Sequence, residues 1–294
     1  MRALLSISII TVALLARVVF ANEPLYAVSL SATPVFNTPE ISSVFGGKNG
    51  KTLQTDSCGQ LRALEFVALP GTLFTVEKVI SVGGRKVYRV TTTDYPYTAK
   101  NGYYIDSDFV EFHRDSPHER PKHLPLLEMI LTRLKAANNS RYVWGGNVAK
   151  GLPEMLNRHP AARSLSLAEQ KAWTLHGVDC SGLLYEATGG FTPRNTSSLV
   201  SYGSGVKIAG KSPKEIAAAL KPLDLIVWPG HVMIVIDEGK VIESRLVCNN
   251  PENGVRIRDI REALAETMKR RTPSDRISSG SGEFVVRRWY QNQE

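Results

Sequence analysis

Short apolar segments that alternate with polar residues dominate the chain between residues 25 and 112. Leu73–Val76 and Val87–Thr91 have the pattern of half-buried strands, and the pairs Gly83-Gly84 and Asn101-Gly102 are turn signals between such segments. The pattern therefore predicts an all-β N-terminal domain over residues 25–112.

In the second half of the chain the spacing of the apolar residues changes. Apolar residues recur at helical spacing from Leu126 to Leu134, whereas the later apolar runs are short and strand-like. A domain with helices first and strands later belongs to the α+β class. The predicted elements are helices around Leu126–Leu134, Leu167–Thr174 and Ile260–Lys269, and strands at Asp224–Trp228, His231–Ile236, Val241–Ser244 and Glu283–Trp289.

The stretch from His113 to Pro125 is charged and contains prolines, so we place the domain boundary in it. We assign residues 113–123 to a linker and residues 124–294 to the second domain. His113, His118 and His123 are evenly spaced, but no cysteine or dense carboxylate cluster joins them, as a metal site would require. We expect a solvated linker, and we expect no metal ion or other cofactor.

The first residues follow the pattern of a secretory signal. Met1-Arg2 precedes an apolar run from Ala3 to Phe20, and residues 19–21 carry small or apolar side chains where a signal peptidase reads. We predict a signal peptide over residues 1–21, while Arg17 argues against a stable membrane anchor. The protein is therefore expected to be exported, to the periplasm or the extracellular space.

The formal net charge is +8, and residues 1–21 contain two arginines and no acid, which leaves 8 − 2 = +6 on the mature chain. That balance suits an anionic surface, although a merely soluble basic protein would show it equally. No basic stripe with interleaved aromatic residues points to nucleic acid, so we expect no nucleic-acid partner.

The three cysteines, Cys58, Cys180 and Cys248, are an odd number for an exported protein, which leaves at least one free thiol. The sequence does not show which cysteines form a disulfide, but a disulfide between Cys58 and Cys248 would leave Cys180 as the free thiol. Asp179 is a good N-cap for the helix-forming run after Cys180, and a helix N-terminus favours a thiolate. A buried inert thiol is the alternative for a lone cysteine, and its surroundings decide between the two.

A cysteine nucleophile needs a base, and the base needs an orienting partner. His231 opens an apolar strand directly after a turn, which would hold its ring rigidly at the end of a sheet. Glu243 lies twelve residues later on the next apolar run, so the two side chains can be neighbours on adjacent antiparallel strands. We predict that Glu243 orients His231 and stabilises its cationic form.

Five stretches in order resemble the NlpC-type cell-wall peptidases: Tyr142-Val143-Trp144-Gly145-Gly146, Asp179-Cys180-Ser181-Gly182, Pro193-Arg194, Asp224-Leu225 and Gly230-His231-Val232. The order of segments from Leu73 to Val110 resembles a bacterial SH3-like domain. These resemblances imply an α+β papain-like catalytic domain preceded by a small all-β SH3-like barrel. They also imply a cysteine peptidase that cleaves the γ-D-glutamyl-diamino acid bond in peptidoglycan stem peptides or muropeptides.

By the same resemblance Cys180 is the nucleophile, His231 is the base and Glu243 takes the third polar position. Tyr142 would help to hold the oxyanion, together with backbone N–H groups at the start of the cysteine helix. Asp179 and Ser181, which flank the cysteine, would bind the free amine of the substrate's L-alanine, which would favour trimmed peptides over intact wall. Further candidate substrate-binding residues are Trp144 and Arg194.

The chain departs from the family pattern at two informative places. Histidine is the commonest third residue of the site, but a carboxylate such as Glu243 can do the same orienting work. Tyr142 lies 38 residues before Cys180, a longer gap than the family usually has, so we expect the insert over residues 148–177 to form a lid or an extra wall.

Two other functions fit the sequence. The first is an amidase of papain-like type that cuts between N-acetylmuramic acid and L-alanine, and the second is a non-catalytic wall-binding protein with a decayed site. The sequence alone also leaves open whether the diamino acid is diaminopimelate or lysine.

Overall fold

The computed structural model describes residues 25–248, 250, 252–278 and 282–291, and the predicted signal peptide over residues 1–21 lies outside them. The first part of the described chain forms one sheet with seven antiparallel strands. Its elements are β1 (Tyr26–Ser29), β2 (Thr33–Phe36), the short helix α1 (Ile41–Val44), β3 (Leu64–Ala68), β4 (Leu73–Val82), β5 (Arg85–Thr91), β6 (Tyr103–Asp106) and β7 (Val110–His113).

The β4–β5 hairpin turns at the predicted Gly83-Gly84 pair, where both residues have positive φ, 57° and 79°. That conformation suits a tight hairpin turn and favours glycine. The strand order is β3-β2-β6-β5-β4-β1-β7, with β3 and β7 at the edges. The described residues show no pairing between these two edges, so the small closed barrel that the SH3-like resemblance implied is not found. The strands before Leu73 instead extend the sheet on both sides.

The insert over residues 148–177 packs against this first sheet. Leu152, Met155 and Trp173 belong to the same buried cluster as Phe36 and Phe45. The indole N–H of Trp173 also donates to the carbonyl oxygen of His159 at 2.6 Å, inside the insert. The apolar side chains of the insert therefore belong to the core of the first sheet, and its role as a lid or extra wall stays a prediction.

The remaining residues form the second, α+β part. Its elements are α2 (Leu127–Ala136), β8 (Asn147–Val148), α3 (Met155–Arg158), α4 (Leu167–Trp173), β9 (Gly177–Val178), α5 (Cys180–Ala187), α6 (Thr196–Leu199), β10 (Ser204–Val206), α7 (Pro213–Ala219), β11 (Leu225–Trp228), β12 (His231–Asp237), β13 (Lys240–Arg245), β14 (Gly254–Asp259), α8 (Ile260–Met268), β15 (Thr272–Pro273) and β16 (Glu283–Arg288).

The sheet of this part has the order β10-β16-β11-β12-β13-β14, with β15 beside β16. Successive side chains on a strand point to opposite faces. Val232 and Ile234 of β12 therefore join a cluster with α2 and α5, whereas Met233 and Val235 join a cluster with α7 and α8. By the same alternation His231, the first residue of β12, has its side chain on the α8 face, at the end of the sheet.

Covalent and polar contacts join the two parts near the cysteine helix. Cys58 of the first part forms a disulfide with Cys248, with the two Cα atoms 5.1 Å apart. The buried Asn147 side chain accepts from Val67 N at 3.0 Å and donates to Val67 O at 2.8 Å, as a neighbouring strand would. Among the described residues, no helix is both long and apolar enough to span a lipid bilayer.

Candidate active site

Cys180 is the first residue of α5, and Asp179 is the N-cap. Oδ1 of Asp179 accepts from Gly182 N at 2.7 Å, while the remaining N–H groups of the first turn and the helix dipole act on the thiol. Cys180 is the free cysteine of the described chain, and its Sγ lies 3.9 Å from the carbonyl oxygen of Gly230.

Glycine is required at position 182. A Cβ there would overlap the carbonyl oxygen of Gly146, which is backbone and has little freedom to move. The absence of a side chain lets the segment from Tyr142 to Gly146 lie directly against the start of the cysteine helix. The two motifs are therefore parts of one site.

His231 contacts the predicted carboxylate partner. Its Nε2 lies 2.6 Å from Oε2 of Glu243 on the neighbouring strand β13. The register pairs Ile234 with Ile242, so Glu243 lies diagonally across from His231 and not directly opposite it. Because Nε2 is occupied by Glu243, the other ring nitrogen, Nδ1, is the one available to exchange a proton with Cys180.

The electrostatics of this pair favour its ionised form. Burial favours the neutral imidazole, but hydrogen bonds to Cys180 and Glu243 and the charges on both outweigh burial and raise the pKa of His231 to about 9. Burial likewise opposes ionisation of Glu243, but His231 and Arg258 outweigh it and hold the pKa of that carboxyl at about 2. Imidazolium and carboxylate therefore face each other at neutral pH.

Glu243 has a second partner that the sequence analysis missed. Arg258 on β14 donates from Nη1 to Oε1 of Glu243 at 2.8 Å, and Arg245 lies 3.8 Å from the same oxygen. Both oxygens of this buried carboxylate are thus held, one by histidine and one by arginine. The alternating run Val255-Arg256-Ile257-Arg258 was a signal for the strand that carries Arg258.

Tyr142 is held beside the cysteine by backbone pairing. Val178 N donates to Arg141 O at 3.1 Å, and Val143 N donates to Val178 O at 3.4 Å. Burial and the negative charges of Asp179 and Cys180 raise the pKa of Tyr142, so its hydroxyl remains protonated. A buried phenol next to the N–H groups of a helix start can stabilise a developing oxyanion.

Arg194 is buried, with 3% of its surface exposed, and all five of its N–H groups can be used within the protein. Nη1 and Nη2 donate to the two carboxylate oxygens of Asp179 at 2.9 and 2.7 Å, as a bidentate ion pair. The guanidinium also donates to Ser181 Oγ, Asn147 Oδ1 and Gly146 O at 3.0, 3.1 and 3.2 Å. Arg194 therefore lies behind Asp179 and Ser181 and holds them in place.

Trp144 lies at the edge of the site, with 39% of its surface exposed. Its backbone N–H donates to Gln60 Oε1 at 3.0 Å, and the guanidinium of Arg62 lies 4.1 Å from the centre of its ring. Both partners come from the first part of the chain, close in sequence to Cys58, and no sequence signal pointed to them. The first part therefore supports Trp144, two residues after Tyr142.

Tyr95 is a buried residue of the first part that lies close enough to Arg194 and Asp179 to feel their charges, and no sequence signal pointed to it. It stacks on Phe66 with ring centroids 4.3 Å apart and meets Tyr103 edge-on at 5.5 Å. Burial, with further contributions from the charges of Glu65 and Asp179, raises the pKa of Tyr95 to about 12 despite the opposing charge of Arg194. The turn that carries Tyr95 is irregular, so no periodic pattern marked it.

The structure thus brings Cys180, His231, Glu243 and Tyr142 together, with Asp179, Ser181 and Arg194 behind the cysteine. His159 lies elsewhere, stacked on Phe45. Within the described ranges, no three side chains of histidine, cysteine, aspartate or glutamate are grouped as a metal site would need. A thiol at a helix start, an imidazole bonded to a carboxylate, and a buried phenol are the groups that nucleophilic acyl transfer can use.

No protein-family model matches the chain, and no curated protein matches it. Among solved structures, an NlpC/P60 family protein from Bacillus cereus ATCC 10987 is similar over 91% of this chain and 64% of its own, with 19% identity and a TM-score of 0.33. NlpC2 from Trichomonas vaginalis is similar over 92% of this chain and 74% of its own, with 15% identity and a TM-score of 0.31. The chain thus spans less than two thirds of the length of the first of these.

Proposed function

We propose that this protein is a cysteine peptidase that hydrolyses the γ-D-glutamyl-diamino acid bond of peptidoglycan stem peptides. The observation that carries the proposal is the 2.6 Å contact between His231 Nε2 and Glu243 Oε2, in a histidine that also interacts with Cys180. A histidine held in this way between a thiol and a carboxylate is the arrangement that nucleophilic acyl transfer needs.

In the first step the thiolate sulfur of Cys180 attacks the carbonyl carbon of the γ-glutamyl group. The negative charge on the carbonyl oxygen is stabilised by the hydroxyl of Tyr142 and by backbone N–H groups at the start of α5. Imidazolium His231 then gives its proton to the amine of the diamino acid as the carbon–nitrogen bond breaks. The diamino acid leaves, and a thioester remains on Cys180.

In the second step water attacks the thioester carbonyl while neutral His231 accepts one of its protons. The carbon–sulfur bond breaks, the γ-glutamyl product leaves as a carboxylic acid that loses its remaining proton to solvent, and the thiolate–imidazolium pair is restored. Glu243 keeps its charge throughout. Its role is to hold the ring of His231 and to stabilise the cationic state.

The proposal that the acyl part of the substrate is L-Ala-γ-D-Glu rests on the ordered sequence motifs and on Asp179, Ser181 and Arg194, which lie behind the cysteine. Oδ1 of Asp179 already accepts from Gly182, Arg194 and Ser181, whereas Oδ2 accepts only from Arg194 among the described contacts. A carboxylate oxygen has more than one lone pair, so Oδ2 has capacity for an ammonium group. This supports binding of a free N-terminal amine, and therefore of trimmed stem peptides, next to the nucleophile.

Export to the cell envelope is part of the proposal. The apolar run of residues 3–20 supports it, and so does the disulfide between Cys58 and Cys248, since disulfides persist mainly in oxidising compartments. The same bond joins the segment that carries Gln60 and Arg62 covalently to the segment after β13, the strand that carries Glu243.

The proposal is tested with L-Ala-γ-D-Glu-diaminopimelate and the Cys180→Ala variant. We expect wild-type protein to release L-Ala-γ-D-Glu, and the variant to lose roughly 10⁴-fold or more of this activity, as for other removed nucleophiles. The control is urea unfolding of both proteins, which should show that the variant remains folded. Full activity in a folded Cys180→Ala variant would refute the proposal.

A further inference from the structure

A cavity of about 310 Å³ opens beside His231 on the α8 face of the sheet. Tyr142 and His231 lie on its wall, so it is continuous with the site around Cys180. Its most unusual feature is charge, because four arginines line it: Arg245, Arg258, Arg270 and Arg271. The reaction steps described above use none of these guanidiniums directly.

Two of the four arginines are paired with carboxylates of the cavity. Arg258 contacts both Glu243 and Glu266, and Arg245 lies 3.5 Å from Glu266 and 3.8 Å from Glu243. These two arginines and two glutamates balance one another in formal charge. They therefore add no net formal charge to the cavity.

The other two arginines, Arg270 and Arg271, are not balanced by carboxylates in this way. In the described part of the chain, neither Arg270 nor Arg271 has a carboxylate within ion-pair distance, and Arg270 is exposed. The guanidinium of Arg271 lies 4.8 Å from the ring centre of Trp228, and that indole in turn packs on His231 at 5.1 Å. Arg271 is thus positioned on a rigid aromatic side chain, one ring away from the base.

The chemistry of the reaction decides which half of the substrate meets this cavity. His231 must reach the leaving amine in order to protonate it, so the leaving half lies on the histidine side of the scissile bond. Asp179, Ser181 and Arg194 lie on the other side, behind the cysteine. The diamino acid therefore extends past His231 into the arginine-lined cavity.

We propose that this cavity binds a carboxylate of the leaving diamino acid, with Arg270 and Arg271 as its ligands. The inference rests on the proposed function and extends it to the recognition of the leaving half. Paired guanidiniums are the preferred partners of carboxylates, and their positive charge would disfavour a cationic side chain in the same place. Diaminopimelate carries both a main-chain and a side-chain carboxylate, and lysine carries only the first.

The test uses three tripeptides: L-Ala-γ-D-Glu-diaminopimelate, and the same peptide with either the main-chain or the side-chain carboxyl of diaminopimelate converted to a carboxamide. Values of kcat/KM are measured for wild type, Arg270→Gln, Arg271→Gln and Arg261→Gln. Arg261 is the matched control, since it is exposed on α8 and does not line the cavity.

We expect wild type to cleave at least one of the carboxamides on the order of 10- to 100-fold less efficiently than the acid, as for a lost charge-assisted hydrogen bond. The affected carboxamide identifies which carboxylate is bound. Arg270→Gln and Arg271→Gln should bring the ratio of acid to carboxamide towards one, whereas Arg261→Gln should keep the wild-type ratio.

Equal cleavage of all three peptides by wild type would overturn the inference while leaving the proposed function intact. Discrimination that persists in both Arg270→Gln and Arg271→Gln would also overturn it. If Arg271→Gln does not fold, Arg270→Gln and the wild-type comparison still decide. Failure of wild type to cleave any of the three would instead refute the proposed function itself.

Discussion

The Glu243→Gln substitution tests how the site keeps His231 charged. The change removes a negative charge 2.6 Å from the imidazole while preserving the size of the side chain. Because Glu243 stabilises the cation, the pKa of His231, about 9 in the wild type, must fall. The side chain of His231 is only 17% exposed, so solvent screens this interaction little.

The size of the change follows from the type of bond. A hydrogen bond to a charged group is worth about 1.5–3 kcal/mol, and one pH unit corresponds to about 1.4 kcal/mol. The pKa of His231 should therefore fall by roughly one to two pH units in the variant, towards its ordinary value of 6.5. Part of the original elevation remains, because Cys180 also contributes to it.

The assay is the pH dependence of kcat/KM. In the proposed reaction His231 gives its proton to the leaving amine, so wild-type activity should fall as the pH rises through about 9. In Glu243→Gln this alkaline limb of the pH profile should shift to lower pH, to between about pH 7 and 8. Glu266→Gln is the matched control, because Glu266 contacts Arg245 and Arg258 without contacting His231. An unmoved limb in Glu243→Gln, or an equal movement in Glu266→Gln, would refute the reasoning.

Stability should show the same linkage. A histidine whose pKa is higher in the folded protein contributes stability that is fully present below pH 6.5 and is lost as the pH rises through about 9. The free energy of unfolding of the wild type, measured in urea, should therefore fall between pH 6.5 and about 9. This fall should be smaller in Glu243→Gln. An equal pH dependence in both proteins would contradict the assignment.

Three further variants test the residues that support the site. Arg194→Met should lower the free energy of unfolding by about 3–5 kcal/mol, since it leaves the Asp179 carboxylate buried without its partner; a loss below about 1 kcal/mol in urea would contradict this. Replacing Cys58 and Cys248 together by alanine should cost about 2–5 kcal/mol, and an unchanged unfolding midpoint would show that the disulfide adds nothing. Gly182→Ala should abolish activity even where the protein folds, because the new Cβ overlaps Gly146; wild-type kcat/KM in this variant would refute the required close approach.

Local patterns were sufficient to predict the positions of Cys180 and His231 on their elements. Cys180 follows a capping aspartate at a helix start, and His231 follows a turn at a strand start, so their surroundings are encoded within a few residues. Glu243 could be placed because one short turn joins its strand to that of His231. Its diagonal position relative to His231 could not be predicted, because that needs the exact strand register, which the sequence does not specify to one residue.

Long-range packing was beyond the sequence. The apolar residues of the insert, such as Trp173, do not reveal by their spacing that they pack against a sheet more than 60 residues earlier in the chain. Arg258 was missed for a different reason. Its strand alternates apolar with basic residues, and only the sheet order shows that this strand lies beside the one that carries Glu243.

The most direct measurement is the mass of the products released from defined muropeptides by the wild-type protein. Cleavage at the γ-D-glutamyl bond by Cys180 predicts release of L-Ala-γ-D-Glu from the trimmed tripeptide, together with the free diamino acid, and no such products with Cys180→Ala. Release of an intact stem peptide from N-acetylmuramic acid would identify an amidase and contradict the account. Unchanged substrate masses after incubation with folded wild-type protein would contradict it as well.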